Sequence, residues 1–188
     1  YMREYLLNDG WQLRERGAGP LAEDLAAQDG WVPARAPGTV HEALLAAGRI
    51  PDPFYGDNEE RVQWVGERDW LYRCRFTAPP ELLSEERLLL RCESLDTVAE
   101  VYLDGAPLLR SDNMFVPAEA DLGRLGALGP GEHELAIVFS SAARVAKERE
   151  ARAAVMRVWN GDASRVYLRK AQYHFGWDWG PCLITAGP

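Results

Sequence analysis

Apolar and polar positions alternate along much of this chain with a period of two, the pattern of half-buried strands. In WLYRCRF (70–76), Trp70, Tyr72, Cys74 and Phe76 alternate with Leu71, Arg73 and Arg75, which predicts a strand with one apolar face. WQLRER (11–16) alternates in the same way near the start. RLLLRC (87–92) and ELAIVFS (134–140) are apolar runs of strand length. TVAEVYLDGAPLL (97–109) predicts a hairpin: Val98, Glu100 and Tyr102 alternate with Ala99, Val101 and Leu103, and Asp104-Gly105 tolerates the positive φ of a tight turn. RVYLRKAQYHF (165–175) resumes strand character.

Between these runs the pattern breaks. Residues 31–39, WVPARAPGT, predict no regular element, because Pro33 and Pro37 lack backbone donors and Gly38 permits a turn. Thr39 is a good N-cap for a short helix, VHEALLAA, closed by Gly48. PDPFYGDNEE (51–60) reads as a loop, and residues 142–158, rich in Ala, Arg and Glu, are the one long helix candidate, with Val145, Arg149, Val155 and Val158 loosely at helical spacing. Many short strands, few helices and Pro-rich connections predict an all-β fold, an antiparallel β-sandwich with short helices in its loops. A closed barrel is the alternative. A parallel α/β sheet is not expected, because helices do not alternate with strands.

The 188 residues suffice for one good core, so residues 1–188 are expected to form one domain. The formal net charge of −8, with Lys147 and Lys170 the only lysines, argues against a nucleic-acid partner. No apolar run approaches the roughly 18–20 residues that cross a bilayer, so no membrane partner is expected. The opening YMREYLLNDG lacks the basic-then-apolar layout of a secretory leader. A bacterial cytoplasmic location is the expectation, or a lysosomal one for a eukaryotic protein. Cys74, Cys92 and Cys182 are odd in number and widely spaced, which predicts reduced thiols, neither a disulfide framework nor a zinc site.

The densest chemistry lies in YHFGWDWGP (173–181), where Asp178 stands between Trp177 and Trp179. An indole stacks on the C–H face of a pyranose, and a carboxylate accepts strong, charge-assisted hydrogen bonds from adjacent hydroxyls. The same residues are open to a plainer reading: both indoles in the core and the carboxylate bonded to main-chain amides. In a straight strand Trp177 and Trp179 share one face and Asp178 the other; Gly176 and Gly180 allow the segment to kink away from that rule. His174 is placed to orient Asp178 or a sugar hydroxyl, or simply to pack. His41 falls in the short helix and His133 in a turn, and no two histidines stand at metal-ligand spacing, so neither metal nor cofactor is expected. Glu59-Glu60 and Glu85-Glu86 read as solvated loop residues. No nucleophile elbow, P-loop or dinucleotide fingerprint occurs, so no catalytic residue is assigned within the chain.

Four stretches carry more than composition: APGTVHEALLAAGRIPDPFYGDNEERVQWVGERDWLYRCRF (36–76), LDTVAEVYLDG (95–105), DNMFVP (112–117) and RKAQYHFGWDWGPCLITAG (169–187). Together they resemble the N-terminal domain of β-mannosidases of glycoside hydrolase family 2, in order and spacing along nearly the whole chain. The HFGWDWGP block is specific to that group; β-galactosidases and β-glucuronidases share the hairpin more loosely. The resemblance implies a jelly-roll sandwich of the galactose-binding-like type. It also implies a retaining exo-β-mannosidase whose immunoglobulin-like domains and catalytic (β/α)₈ barrel lie elsewhere in the polypeptide. A barrel alone takes about 250 residues, so this domain is expected to be inactive by itself, with a terminal β-mannoside and the downstream domains as its partners. Asp178 matches a carboxylate that grips sugar hydroxyls, and Trp177 and Trp179 its flanking wall. The PDPFYGDNE loop matches at Asp52, Tyr55, Gly56, Asp57 and Asn58 and is expected near the same cleft. Two departures stand out. Cys182 replaces a usual Arg, and residues 142–165 resemble the family poorly. A non-catalytic carbohydrate-binding module and a purely structural domain are the rival readings.

Overall fold

The structure, a computed structural model, describes residues 3–154 and 161–188. Among these residues eight strands form: β1 (Trp11–Glu15), β2 (Val32–Ala34), β3 (Trp70–Thr77), β4 (Leu89–Cys92), β5 (Ala99–Leu103), β6 (Ala106–Ser111), β7 (Ala118–Asp121) and β8 (Glu132–Phe139). Six of them make one antiparallel sheet in the order β2-β1-β3-β8-β5-β6, and β4 pairs with β7 in a second layer. Among the described residues six short α-helices occupy the connections: α1 (Leu21–Ala26), α2 (Val40–Ala46), α3 (Asn58–Arg61), α4 (Pro80–Leu83), α5 (Leu122–Leu125) and α6 (Ala142–Glu150). The expected all-β sandwich with helices in its loops is what forms.

The core follows from the alternation. On β3, Trp70, Tyr72 and Cys74 point into the sandwich, and Tyr72 meets Phe139 of β8 edge to face at 5.6 Å. Leu71 is also fully buried on the opposite face, so both sides of the sheet are covered at that end. The second layer is only partly sheet. Leu90, Cys92 and Ala118 of β4–β7 pack on the core beside Val40, Ala43 and Leu44 of α2, Val65 of a 3₁₀ turn (Gln63–Glu67), and Val62 and Leu95. On the outer face, the guanidinium of Arg73 lies 3.7 Å above the Trp31 ring.

The Thr39 N-cap and the Asp104-Gly105 turn form as expected. Thr39 and Glu42 make a reciprocal capping box at the start of α2: the Thr39 hydroxyl accepts from Glu42 N–H at 3.3 Å, and Glu42 Oε2 accepts from Thr39 N–H at 2.8 Å. The β5–β6 hairpin turns on Asp104 (φ 50°) and Gly105 (φ 78°), both left-handed.

Four expectations need correction. Val32–Ala34 form a strand despite Pro33, because β2 is the sheet edge and its missing donor faces away from the ladder. Residues 165–175 are not a strand. They coil into 3₁₀ turns at Ala163–Tyr167 and Gln172–Phe175, the first capped by the Asp162 carboxylate on Ser164 N–H, with one isolated bridge between Asn113 and Arg169. The alternation there survives only as buried Leu168, exposed Arg169 and buried Lys170. The helix read over 142–158 runs to Glu150, and Val155 and Val158 lie outside the described residues. His133 stands at the start of β8 rather than in a turn; its Nδ1 is 2.6 Å from Asp104 Oδ2 and its Nε2 is 2.9 Å from Gly129 O. All three cysteines are free; Cys74 is buried, while Cys92 and Cys182 are half-buried.

Candidate functional site

The YHFGWDWGP segment leaves the sandwich as a loop and returns to it. Trp177 and Gly180 face each other as a two-bond bridge, Gly180 N–H to Trp177 O at 3.2 Å and Trp177 N–H to Gly180 O at 3.4 Å. Asp178 and Trp179 are therefore the two tip residues of a tight turn. Trp177 and Trp179 lie on the same side and stack on each other, ring centres 5.3 Å apart and planes 8° from parallel. They are 55% and 82% exposed, which removes the reading that both are core. Asp178 is exposed beside them, and among the described residues nothing donates to its carboxylate. Gly176 enters the turn with φ 92°, and a Cβ there would stand 3.3 Å from Cys182 Cβ, so the outgoing and returning arms touch at a place only glycine fits.

The arms are anchored by polar groups rather than by a ladder. Lys170, fully buried, donates to Asp96 Oδ1 at 2.6 Å and to Thr185 O at 2.7 Å. One ammonium thus ties the outgoing arm to the returning arm and to the start of the β5 region. Thr97 Oγ1 donates to the same carboxylate oxygen, and Asp96 and Gly187 exchange backbone hydrogen bonds. Burial pushes the Lys170 ammonium below its ordinary pKa, and Asp96 opposes that.

His174 faces this buried pair, not Asp178. Its Nδ1 lies 3.4 Å from Asp96 Oδ2 without hydrogen-bond alignment. Burial, with Lys170 repulsion added and Asp96 opposing, lowers its pKa to about 4. His41 of α2 is lowered to about 4 as well, by burial first and then by His174 and Lys170. Both imidazoles are therefore neutral near pH 7. The expectation that His174 orients Asp178 does not fit this placement, because its Nδ1 faces Asp96; the ring instead lines the cleft at the base of the arm.

The PDPFYGDNEE loop does come to the arm, through a residue read as a solvated carboxylate. Glu59 Oε1 accepts from Cys182 N–H at 2.6 Å, and Gln63 Nε2 donates to Cys182 O at 2.8 Å. Glu59 lies in helix α3, which begins at Asn58 and breaks the expected continuous loop. Asn58 is spent locally: its Nδ2 donates to Asp52 O at 2.9 Å and its Oδ1 accepts from Arg61 at 3.0 Å. Asp57 sits exposed at the N-terminus of α3 with no capping hydrogen bond from its side chain. Asp57, Asn58 and Asp178 are thus not joined in one contact set. Glu85 remains a surface residue, 3.5 Å from Arg3.

At the base of the arm is a cleft of about 390 Å³ lined by His41, Pro53, Phe54, Tyr173, His174 and Pro181 among others. Phe54 and Tyr173 are 76% and 58% exposed at its rim. Asp178 and its two indoles lie outside this cleft. Among the described residues no group of three metal-ligating side chains occurs, and no helix is long and apolar enough to cross a membrane.

Similarity to known proteins places this geometry. The family model described as "Glycosyl hydrolase 2 galactose-binding domain-like" matches residues 11–188. A β-mannosidase B of Thermothelomyces thermophilus is 47% identical over 156 residues, covering 81% of this chain and 18% of that protein. A β-mannosidase B of Emericella nidulans is 38% identical over 188 residues, covering 98% of this chain and 21% of that protein. The crystal structure of a β-D-mannosidase from Dictyoglomus thermophilum superposes with a TM-score of 0.85 at 38% identity, over 96% of this chain and 21% of that one. An exo-chitosanase from Amycolatopsis orientalis, at 20% identity and a TM-score of 0.58 over 70% of this chain and 16% of its own, shares the fold alone. The chain spans about a fifth of the length of the curated relatives it matches, 18% of one and 21% of another.

Proposed function

The chain belongs to the glycosyl hydrolase 2 galactose-binding-like family, and from that membership we propose that it is the N-terminal domain of a retaining exo-β-mannosidase. Its part is to present Asp178 to the terminal mannoside bound in a catalytic barrel supplied by the rest of the polypeptide. The observation that carries this reading is the turn itself: a carboxylate with no donor among the described residues, exposed at a tip beside a parallel indole pair. An ionised carboxylate left without donors is free to accept from two vicinal hydroxyls, the charge-assisted bonds that bind sugars most strongly. The pair of tryptophans restricts the tip, so less order has to be gained when the sugar arrives.

The chain contributes binding and orientation, not proton transfer or nucleophilic attack. Both carboxyl groups that a retaining mechanism needs, about 5–5.5 Å apart, are assigned to the barrel. Asp178 then acts on the sugar away from the bond being broken. If its hydrogen bonds tighten as the ring flattens, they lower the barrier as well as the Michaelis constant. In the parent enzyme, Asp178→Ala is expected to lower kcat/KM for an aryl β-mannoside by about 2–4 kcal/mol of transition-state stabilisation. Unchanged kcat/KM in a folded variant would overturn the assignment. Calorimetry separates the rival reading: the chain alone should show no measurable heat with mannose or mannobiose, whereas an independent carbohydrate-binding module would bind.

A further inference from the structure

Glu59 and Gln63 stand four residues apart and act on one residue of the arm. The Glu59 carboxylate takes the N–H of Cys182 at 2.6 Å, and the Gln63 amide gives to its C=O at 2.8 Å. Gln63 Nε2 also donates to Glu59 O at 2.9 Å, so the two grips are joined to each other. A main-chain residue held at both its donor and its acceptor is fixed in position and in rotation. The carboxylate-to-amide bond is of the strong, charge-assisted kind.

Cys182 lies two residues beyond Gly180, where the Asp178 turn closes. It also touches the outgoing arm, for Gly176 packs against it and its Sγ is 3.8 Å from His174 O. Fixing Cys182 therefore fixes both legs of the turn. The thiol meets His174 O as a neutral donor: burial first, then Glu59 and Asp162, hold it above its ordinary pKa and protonated. What matters at position 182 is the backbone.

We propose that Glu59, assisted by Gln63, is a positioning residue that sets where the Asp178 carboxylate stands, acting through the backbone of Cys182. The proposal rests on the reading of Asp178 as a substrate-binding group. On this reading the end of the 51–60 segment is a bracket for the W-D-W turn.

The test is a mutant cycle in the parent enzyme, with kcat and KM measured on an aryl β-mannoside and folding checked by thermal unfolding. Glu59→Ala should lower kcat/KM about 10- to 100-fold, the scale of a sub-ångström to ångström misplacement, and divide the loss between kcat and KM as Asp178→Ala does. Glu59→Gln keeps an oxygen acceptor for Cys182 N–H and should stay within about threefold of wild type. In an Asp178→Ala background, Glu59→Ala should cost less than about twofold, because the group it positions is already gone. Equal losses in the two backgrounds, or wild-type kcat/KM in Glu59→Ala, would overturn the proposal. An Asp178→Ala variant with wild-type activity would instead remove the reading beneath it. If Glu59→Ala fails to fold, Gln63→Leu, at an exposed position, takes its place in the same cycle with the same non-additivity expected.

Discussion

The sandwich core and the Asp178 arm are built by opposite means. In the core, position follows from burial. Leu13, Tyr72, Val101 and Phe139 are all sealed from solvent, and the β3–β8 ladder runs from Trp70↔Phe139 to Thr77↔Glu132 without a break. In the arm, position follows from a few discrete polar contacts: Lys170 to Asp96 and Thr185, and Glu59 and Gln63 to Cys182. Non-directional apolar contact is plentiful and tolerates compensation. A hydrogen bond is specific in direction and fails all at once. On the proposed function, a domain that aims one carboxylate at a ligand held by another domain has reason to use the second kind of contact at the arm and the first kind beneath it.

The largest expected effect sharpens the contrast from the core side. Phe139→Ala removes a fully buried ring and its edge-to-face partner contact with Tyr72. It should cost about 3–5 kcal/mol in denaturant unfolding. Intermediate in size is the pH response of the histidines at the arm's base. His41 and His174 have folded pKa values of about 4, below the ordinary 6.5. The unfolded chain therefore binds protons first, and the stability they contribute is full above pH 6.5 and is lost as pH falls toward 4. His133 runs the other way. Its hydrogen bonds to Asp104 and Gly129 raise its pKa, so its contribution is full below pH 6.5 and is lost as pH rises through the raised value. Unfolding free energy should thus rise with pH between about 4 and 6.5, and His41→Leu should flatten that rise; an unaltered slope in the variant would contradict the assignment. The smallest effect is at the tip: Asp178→Ala should change stability by less than about 0.5 kcal/mol, since no described residue depends on its carboxylate.

The same division decides what was legible in the sequence. Strand β3, the Asp104-Gly105 hairpin and the Thr39 N-cap are written in residues close together in sequence, and all form as read; the Glu42 half of the cap is equally local but is added by the structure. The exposed W-D-W tip was visible as an unusual cluster, though its turn geometry was not, because a straight strand puts the two indoles opposite the carboxylate rather than stacked around a bend. The arm's supports were not legible. Glu59 looks like one of many surface acids until Cys182, 123 residues away, is beside it. Lys170 looks like an ordinary charge in an alternating run until Asp96, 74 residues away, is found to neutralise it in the interior. Periodicity reports burial, and it led Lys170 and its neighbours to be read as a strand. It carries no signal for polar pairs of large sequence separation. Pro33 misled in the opposite sense, since a proline forbids only a central strand and β2 is an edge.

The central claim, that this domain offers Asp178 to a mannoside held by its neighbour, is tested most directly by a crystal structure of the parent enzyme with a terminal β-mannoside bound. The account predicts an Asp178 carboxylate oxygen within about 2.5–3.2 Å of a sugar hydroxyl, with Trp177 and Trp179 stacked beside it and Glu59 still on Cys182 N–H. A bound sugar that leaves Asp178 in bulk solvent, or an Asp178 paired with an arginine or lysine of another domain, would contradict it.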